Sequence, residues 1–504
     1  MIGTSGNWLK KRPKTAAVVF LAVAVLTANL FSNAADDGEW QAVVFRGVER
    51  ESREIETHRG TRFTVIRGTI EVPEVRAKPE SRSIEIGYAI VPGIEGAQGA
   101  PVVMLAGGPG GSHIRSIESA WVHARIELFR RIGDVVMVDL RGIHSSRPAF
   151  DLDGPSDKFR VVRSREDSLA FWRDVGAAGR QNLIADGFDL SGYTVVEAAA
   201  DVIAVADALG YETVNLYGTS FGSHFTLTTT RLFPERVERF FVTGVEGYDH
   251  TFDDGAEVLK AVREIAREAE GVWAGAFEAQ DPLKALQSLA ARAEESPDLA
   301  YGLQPHEIEA SVLADEYFGF GYYLSNREGM RSWPADVAKI MAGEGTWRMF
   351  FARRLAGFFA GYGASDAAVG LFDCASSISE ERRDALIARS PERFPNNVTW
   401  MEALCSGWRT SPLPPSFQAG EVSSVPGLLL HGTYDTSTPF RNAVETLAHF
   451  PNAALVTIHG GSHNALLEAL EAEPDLDDRI VDWFRGGAVP KDISLSPIQF
   501  DPLQ

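Results

Sequence analysis

Short apolar runs that end in Gly or Asp, with helical patterns between them, are the feature that most constrains the fold of this 504-residue chain. A strand that is apolar on both sides has no solvent face, so it fits a parallel sheet covered by helices above and below. The alternation of such strands with helices predicts the α/β class, with a mostly parallel central sheet and helices on both faces. The runs lie at residues 102–105, 135–138, 214–217, 240–242 and 428–430.

The pattern changes on either side of this core. Residues 39–100 alternate between polar and apolar side chains, which predicts strands of a solvent-facing hairpin region. Residues 248–425 read as Ala/Glu/Arg-rich helical stretches with aromatic clusters and a Pro-rich exit. This segment is long enough to be a domain. We therefore predict a large, mainly helical cap over 248–425, inserted between core segments 35–247 and 426–504.

The N-terminal segment has the form of a secretory signal peptide. Basic residues at 10–14 precede an apolar stretch at 16–30, and small residues at 32–34 precede an acidic start. We expect cleavage after Ala34 and export to the periplasm or the medium. An uncleaved N-terminal anchor is the alternative, but the apolar stretch is shorter than the roughly 20 residues that span a bilayer.

Charge and cysteine content narrow the set of partners. The chain has 69 acidic against 48 basic residues, a net charge of -21, and no long basic run, so we expect no nucleic-acid partner. Its two cysteines, Cys374 and Cys405, are expected to form one disulfide within the cap, because an exported protein is oxidised. No metal-ligand spacing or cofactor fingerprint is present, so neither is predicted. The expected partner is a peptide or small acyl substrate.

A Gly-x-Ser-x-Gly motif carries the strongest chemical signal. Gly218, Ser220 and Gly222 follow the apolar run 214–217 and precede a helical pattern, which is the strand-turn-helix context of a nucleophile elbow. The glycines matter because a Cβ at either flank would collide with the neighbouring strand or helix. The alternative is a glycine-rich turn with a solvated serine. The context favours Ser220 as a nucleophile.

A serine hydroxyl needs a base, and the base needs a carboxylate that orients it. His463 lies in a glycine-bearing loop after the apolar run 454–458, and Asp435 lies in the loop after the run 427–430. The order Ser, acid, His matches that of α/β-hydrolases. A helix N-cap is the alternative role for Asp435. We predict that Asp435 orients His463 and stabilises its imidazolium.

Acyl transfer also needs donors for the developing oxyanion. The N–H of Phe221, the residue after the nucleophile, is one candidate. The glycine-rich loop 106–111 follows an early strand and supplies the second candidate, the N–H of Gly108. A phosphate-cradling loop is the alternative, but the Lys-Ser/Thr of such a loop and the dinucleotide spacing are absent.

Three segments resemble the α/β-hydrolase peptidases of the prolyl aminopeptidase and tripeptidyl aminopeptidase type. They are Gly-Gly-Pro-Gly-Gly-Ser at 107–112, Asp-Leu-Arg-Gly-Ile-His-Ser-Ser at 139–146 and Gly-Thr-Ser-Phe-Gly-Ser at 218–223. The loops that hold Asp435 and His463 extend the similarity to nearly the whole sheet domain. The resemblance implies an α/β-hydrolase fold with the same nucleophile, acid, base and oxyanion donors.

Two departures from the family pattern stand out. Ala106 occupies the position where the family has His, and Ile143-His144 replaces the usual x-Gly. Because the oxyanion donor is a backbone N–H, the first departure need not abolish activity. In the same segment, we expect Arg141 to support its loop by pairing with Asp139 or with a carbonyl group.

The resemblance also implies how substrate is recognised. An aminopeptidase must bind a free α-ammonium group, which requires carboxylates near the nucleophile. Glu246 follows the strand after the nucleophile helix, and Asp315 and Glu316 adjoin the aromatic run 317–323, a candidate apolar subsite. The alternative is that the acids are solvated and the aromatic residues belong to the core.

Three functional hypotheses follow from the sequence. The first is an exported serine aminopeptidase that releases short N-terminal units, tripeptide or proline-type, through an acyl-enzyme. The second is an ester, lactone or amide hydrolase that uses the same triad, because fold and triad do not fix the acyl group. The third is a non-catalytic binding module, which the complete Ser-Asp-His set disfavours.

Overall fold

The computed structural model describes residues 40–57, 60–150, 165–273, 324–341, 367–390 and 398–502. The predicted signal peptide at 1–34 and the cap residues Asp315 and Glu316 lie outside the described residues, as does much of the predicted cap. The domain boundaries and signal cleavage therefore stay predictions. Within the described ranges, no helix is long and apolar enough to cross a membrane.

A single mixed sheet forms the centre of the molecule, with eleven strands in the order β1-β2-β3-β4-β6-β5-β7-β8-β9-β10-β11. The first four strands pair antiparallel, as does β4 with β6, and the strands from β6 to β11 run parallel. The strands are β1 (Gln41–Phe45), β2 (Val48–Glu56), β3 (Arg62–Pro73), β4 (Ser83–Val91), β5 (Val102–Leu105), β6 (Val135–Val138), β7 (Val214–Ser220), β8 (Val237–Val245), β9 (Gly427–Gly432), β10 (Ala453–His459) and β11 (Ile493–Ser494).

Helices cover both faces of the parallel part of the sheet. The described helices are α1 (Ala120–Phe129), α2 (Arg165–Ala185), α3 (Val195–Ala208), α4 (Phe221–Leu232), α5 (Gly255–Glu268), α6 (Glu270–Trp273), α7 (Arg327–Met341), α8 (Cys374–Ser376), α9 (Glu380–Ala388), α10 (Val398–Trp408), α11 (Pro415–Ala419), α12 (Phe440–Leu447), α13 (Ala465–Ala472) and α14 (Leu476–Phe484). This architecture confirms the α/β class and the mostly parallel sheet predicted from the sequence.

The central strands bury side chains on both sides, because successive residues of a strand point to opposite faces. In β7, Leu216 joins one apolar cluster with Val205 of α3, whereas the adjacent Tyr217 joins the opposite cluster with Ile126 of α1 and Ile480 of α14. All five side chains are essentially excluded from solvent. The apolar runs without alternation are thus explained by two helical layers.

The described part of the predicted cap packs on the same apolar cluster as the core. Helix α10 crosses α2 so closely that a Cβ added at Gly176 would lie 2.4 Å from the carbonyl oxygen of Leu404. Trp408 at the end of α10 is buried in the core cluster. A disulfide joins Cys374 to Cys405, as predicted, and ties α8 to α10.

The carboxyl ends of the parallel strands meet at one edge of the sheet, where the loops that follow them gather. In open α/β sheets this edge is the usual place for a site. A Cβ at Gly432, the last residue of β9, would lie 2.2 Å from the carbonyl oxygen of Gly461, so the loops after β9 and β10 are in direct contact. The N–H of Tyr434 donates to the same Gly461 carbonyl at 2.8 Å. This contact joins the loops that carry Asp435 and His463.

Candidate active site

Ser220 occupies the junction of β7 and α4 with φ 58° and ψ -134°. This backbone conformation is unfavourable for a residue with a Cβ and is typical of functional turns. A Cβ at Gly218 would lie 2.0 Å from the carbonyl oxygen of Gly222, and one at Gly222 would lie 2.3 Å from that of Leu105. Both flanking glycines are therefore sterically required, which is the reason given for them from the sequence.

Asp435 and His463 form the ion pair expected of an acid and a base. The distance between His463 Nδ1 and Asp435 Oδ2 is 2.9 Å. The N–H groups of Ser437 and Thr438 donate to Asp435 Oδ1 at 2.9 and 2.8 Å, and the Thr438 hydroxyl donates to Oδ2 at 2.8 Å. The carboxylate is buried, with 1% exposure, so these donors replace the water that it loses.

The charges of this pair stabilise one another. Burial alone would raise the pKa of Asp435, but the imidazolium of His463 and the surrounding donors hold that pKa below its usual value. Burial alone would lower the pKa of His463, but Asp435 outweighs it and raises that pKa. The pair is thus suited to hold a proton on His463 while Asp435 remains ionised, as a general base requires.

Gly244 has no side chain, which leaves room for the imidazole of His463 beside the end of β8. Strand β8 lies beside β7, with Ser220 in register with Val245. A Cβ at Gly244, which has φ +52°, would lie 2.7 Å from His463 Cε1. The backbone N–H of His463 donates to the backbone carbonyl of Ser325 at 3.1 Å, which holds the His463 loop against a residue of the predicted cap. Sequence reasoning missed Gly244, whose signal is a glycine near the carboxyl end of a central strand.

His431 and Thr438 contact Asp435 and hold its loop in place. His431 Nε2 donates to the carbonyl of Thr438 at 2.8 Å, and its Nδ1 accepts the Val245 N–H at 3.0 Å. Its Nε2 lies 3.4 Å from Asp435 Oδ2. These contacts of His431 link the Asp435 loop to the end of β8.

The glycine-rich loop lies against the nucleophile. A Cβ at Gly107 would lie 2.9 Å from Ser220 Cβ and 2.8 Å from the carbonyl oxygen of Thr219. Gly108 has φ +126°, a conformation open to glycine. Phe221 is the first residue of α4, so its N–H has no acceptor within the helix. Both predicted donors therefore belong to backbone next to Ser220, and their role as oxyanion donors stays a prediction.

In the segment 139–146, Asp139 binds within the segment, and Arg141 binds residues outside the glycine-rich loop. Asp139 is buried and accepts hydrogen bonds from the Ser145 N–H at 3.1 Å and the Ser145 hydroxyl at 2.5 Å. Arg141 pairs with Asp201 at 2.7 Å and donates to the Glu74 carbonyl. The expected bond to a carbonyl is present, whereas the expected partner Asp139 is replaced by Asp201.

Three carboxyl groups lie close enough to interact electrostatically and form what we call the acid cluster: Glu246, Asp253 and Asp373. The Glu246 N–H donates to Ser223 Oγ at 2.8 Å, and that hydroxyl donates to the carbonyl of Ser220 at 2.6 Å. The Glu246 Oε1 and Asp373 Oδ1 atoms are enclosed and have no hydrogen-bond partner among the described residues. The cluster thus presents acceptor atoms that nothing in the described chain satisfies.

The electrostatics of the acid cluster follow from that arrangement. Burial, together with the charge of Asp253, raises the pKa of Glu246 well above its usual value. Burial, together with the charges of Glu246 and Asp253, does the same for the pKa of Asp373. Like charges out of water are costly, so a cation at this position would be strongly attracted.

The structure places Glu246 next to the nucleophile turn, and its role in substrate binding stays a prediction. Asp373, which interacts with Glu246, was not predicted from the sequence. Asp373 follows an apolar stretch and directly precedes Cys374, a weak signal for a functional acid. Within the described ranges, no set of His, Cys, Asp and Glu side chains has an arrangement that could hold a metal ion. Asp315 and Glu316 lie outside the described residues.

Two family models and several known proteins match this chain. A model of the α/β hydrolase fold matches residues 100–299, and a model of TAP-like proteins matches residues 390–494. The serine protease Hip1 of Mycobacterium tuberculosis is 23% identical over 434 residues, covering 77% of this chain and 79% of that protein. The tripeptidyl aminopeptidase of Streptomyces coelicolor is 23% identical over 480 residues, covering 85% and 83%.

A solved structure of proline iminopeptidase from Mycobacterium smegmatis aligns with a TM-score of 0.40 at 15% identity, covering 83% of this chain and 98% of that one. The sheet order, the family models and the relatives' names converge on one assignment. The chain is an enzyme of the α/β-hydrolase fold, similar to the serine peptidases of the tripeptidyl aminopeptidase type.

Proposed function

We propose that the protein is an exported serine aminopeptidase that releases short N-terminal units from peptides through an acyl-enzyme. The observation that carries the proposal is the acid cluster, whose unsatisfied carboxylate oxygens lie beside the nucleophile turn. A substrate ammonium group would supply the missing donors and the missing positive charge. The names of the two relatives, a serine protease and a tripeptidyl aminopeptidase, support the same reaction class.

The chemistry begins at Ser220. His463 takes the proton of the Ser220 hydroxyl as the oxygen attacks the scissile carbonyl, and the resulting imidazolium is stabilised by Asp435 at 2.9 Å from Nδ1. His463 then donates that proton to the leaving amine. A water molecule, activated by the same imidazole, hydrolyses the acyl-enzyme.

The negative charge that develops on the substrate oxygen is stabilised by backbone N–H groups. The Phe221 N–H at the start of α4 and the N–H of Gly108 are the donors that we assign to it. Donors held by the backbone cost little reorganisation during the reaction, and the loss of one such donor typically reduces kcat by about 10²–10³-fold.

The acid cluster selects the end of the peptide. A free α-ammonium would pair with Glu246 and Asp373, whereas an N-acetylated or internal residue would leave their buried oxygens unpaired. A site built for a polar group rejects an analogue that lacks it, because the site's own polar atoms then remain unsatisfied. This preference distinguishes an aminopeptidase from an endopeptidase.

Export is part of the proposal and rests on two observations. The segment at 1–34 has the composition of a signal peptide. The Cys374–Cys405 disulfide is the kind of bond that persists in oxidising compartments. Detection of a mature chain beginning after Ala34 outside the cytoplasm of the source cell would support it, and a cytoplasmic full-length chain would contradict it.

The experiment compares a chromogenic tripeptide amide with its N-acetylated twin, using the Ser220→Ala variant as the blank. We expect kcat/KM to be about 10–100-fold higher for the free amine, since a hydrogen bond to a charged group contributes roughly 1.5–3 kcal/mol. Equal rates, or activity on simple esters alone, would overturn the aminopeptidase proposal in favour of an ester, lactone or amide hydrolase. Turnover by Ser220→Ala would overturn the triad.

A further inference from the structure

His224 lies between the two segments that carry Glu246 and Asp373. It belongs to α4, one turn after Ser220, and its side chain is fully buried. The distance from its Nδ1 to the carbonyl oxygen of Gly247 is 3.0 Å, and the distance from its Nε2 to Ser376 Oγ is also 3.0 Å. One imidazole thus bridges the loop after β8 and the helical segment that ends at Ser376.

The directions of these hydrogen bonds follow from the groups involved. A carbonyl oxygen only accepts, so His224 Nδ1 carries the hydrogen and donates to Gly247. Burial lowers the pKa of His224 to about 4, so near neutral pH the ring has one N–H and Nε2 accepts the Ser376 hydroxyl. With one N–H on the ring, both hydrogen bonds form only in this tautomer of His224.

Both ends of the bridge lie next to a carboxylate of the acid cluster. Gly247 directly follows Glu246. Ser376 lies three residues after Asp373 in a continuous helical stretch, so the two side chains are on neighbouring positions of one face. The carbonyl of Ser376 also accepts a 2.6 Å hydrogen bond from Gln418 Nε2.

Other hydrogen bonds join the same two segments but do not involve the nucleophile helix. The Asp249 carboxylate accepts from the Ser379 N–H at 2.6 Å and from its hydroxyl at 2.7 Å. Thr251 Oγ1 donates to the carbonyl of Ser377 at 2.5 Å. These links hold the segments together, whereas the bridge through His224 fixes both of them to the helix that begins after Ser220.

We infer that His224 is a positioning residue for specificity: it sets where the amine-binding carboxylates stand relative to Ser220, and so which peptide ends fit. This inference rests on the proposed aminopeptidase function. It assigns no contact between His224 and substrate. Its loss should therefore weaken binding of the free amine rather than slow the chemical step.

The experiment uses two variants, Ser376→Ala and His224→Phe, with Ser406→Ala as the matched control. Ser376→Ala removes only the hydroxyl that Nε2 accepts from, and His224→Phe removes both hydrogen bonds at similar volume. Ser406 donates to the Ala403 carbonyl within its own helix at 2.7 Å, so Ser406→Ala removes a serine hydroxyl without removing either hydrogen bond of the bridge. KM and kcat are measured for the free-amine tripeptide amide and for an acetate ester without an amine.

We expect Ser376→Ala to raise KM for the free amine about fivefold to tenfold, the effect of one lost hydrogen bond, with a change in kcat of less than about twofold. His224→Phe should raise KM for the free amine further, because both hydrogen bonds of the bridge are lost. The Ser406→Ala control should match the wild type.

Two results would overturn the inference while leaving the proposed function intact. One is a wild-type preference for the free amine that Ser376→Ala retains unchanged. The other is an equal loss of kcat on both substrates, which marks a general structural role. A wild-type enzyme without any free-amine preference would instead overturn the proposed function and this inference together. If His224→Phe fails to fold, Ser376→Ala alone decides the question.

Discussion

The carboxyl group of Asp435 and those of the acid cluster have opposite surroundings. Asp435 and Asp373 are buried, and Glu246 is partly buried. Asp435 accepts hydrogen bonds from two backbone N–H groups and the Thr438 hydroxyl, and it pairs with His463. In the acid cluster, Glu246 Oε1 and Asp373 Oδ1 are enclosed without a partner in the described part of the chain. The pKa of Asp435 is held down, whereas burial raises the pKa of Glu246 and Asp373.

This difference assigns Asp435 to the chemical step and the acid cluster to substrate recognition in the proposed function. A carboxylate whose donors are supplied by the protein is prepared before substrate arrives, as a triad requires. A buried carboxylate without donors destabilises the fold and is typical of a functional site, because the missing partner comes from a ligand. The Asp435–His463 pair of the proposed triad thus receives its hydrogen bonds from the protein itself, whereas the acid cluster would receive its missing donors from the ammonium group that we propose as its ligand.

Removing the acid of the triad should have the largest effect. We expect Asp435→Asn to reduce kcat by about 10³–10⁴-fold on free-amine and ester substrates alike, because His463 loses its orienting acceptor and the charge that stabilises the imidazolium. Steady-state kinetics on both substrates, with circular dichroism to confirm folding, provide the measurement. A loss confined to the free-amine substrate would contradict the division between the two groups.

Breaking the disulfide should loosen the acid-cluster side of the molecule. The bond closes a segment with a sequence separation of 31, so the Cys374→Ser/Cys405→Ser variant should lose roughly 3–4 kcal/mol of unfolding free energy. Because Asp373 directly precedes Cys374, we expect amide hydrogen exchange to rise more over 369–377 than in β9 and β10. Equal increases in both regions, or two free thiols in peptide maps of the wild type, would contradict this.

Neutralising one member of the acid cluster should affect recognition alone. We expect Glu246→Gln to lower kcat/KM for the free-amine peptide about 10–100-fold, mainly through KM, because a charged hydrogen bond is replaced by a neutral one. The N-acetylated peptide should lose nothing. Glu471→Gln, an exposed acid on α13, is the matched control. A fall in kcat on both peptides would place Glu246 in the chemistry instead.

The pH dependence of stability should distinguish the two groups by sign. A raised carboxyl pKa means that the folded protein binds the proton more tightly than the unfolded chain. Glu246 and Asp373 therefore lower stability as pH rises above their ordinary pKa values, about 4.3 for Glu and about 3.9 for Asp. The lowered pKa of Asp435 acts in the opposite direction at lower pH.

Glu246→Gln should therefore be more stable than the wild type near neutral pH, by about 1 kcal/mol, and this advantage should shrink as the pH falls toward 4. Urea unfolding of both proteins at a series of pH values measures it. A constant difference at all pH values would show that the carboxylate of Glu246 does not titrate differently in the folded state.

The sequence predicted the fold and the parts of the site that local patterns encode. Ser220 was identifiable because its glycines are required by contacts within one turn, and Asp435 and His463 because each follows a strand of the same sheet. The position of Glu246 after a central strand was predicted in the same way, and its role stays a prediction. These residues sit at positions that the order of strands determines.

The rest depends on contacts between distant segments, which no local pattern records. Asp373 reaches Glu246 only through the packing of the segment around the disulfide against the core. In the sequence, Gly244 reads as an ordinary strand residue and His224 as an ordinary helix residue. Only the folded structure shows that His463 packs against Gly244 and that Ser376 bonds to His224. Thr438 differs from these residues, because an acid followed three residues later by a threonine predicts a hydrogen bond between the two side chains within one turn.

The most direct test of the account is calorimetric titration of the inactive Ser220→Ala protein with an uncleaved free-amine tripeptide amide and with its N-acetylated twin. We predict that the free-amine peptide binds about 10–100-fold more tightly, and that adding Glu246→Gln removes most of this difference. Equal affinity for both peptides, or a difference that survives Glu246→Gln, would contradict the claim that the acid cluster binds the substrate's ammonium group.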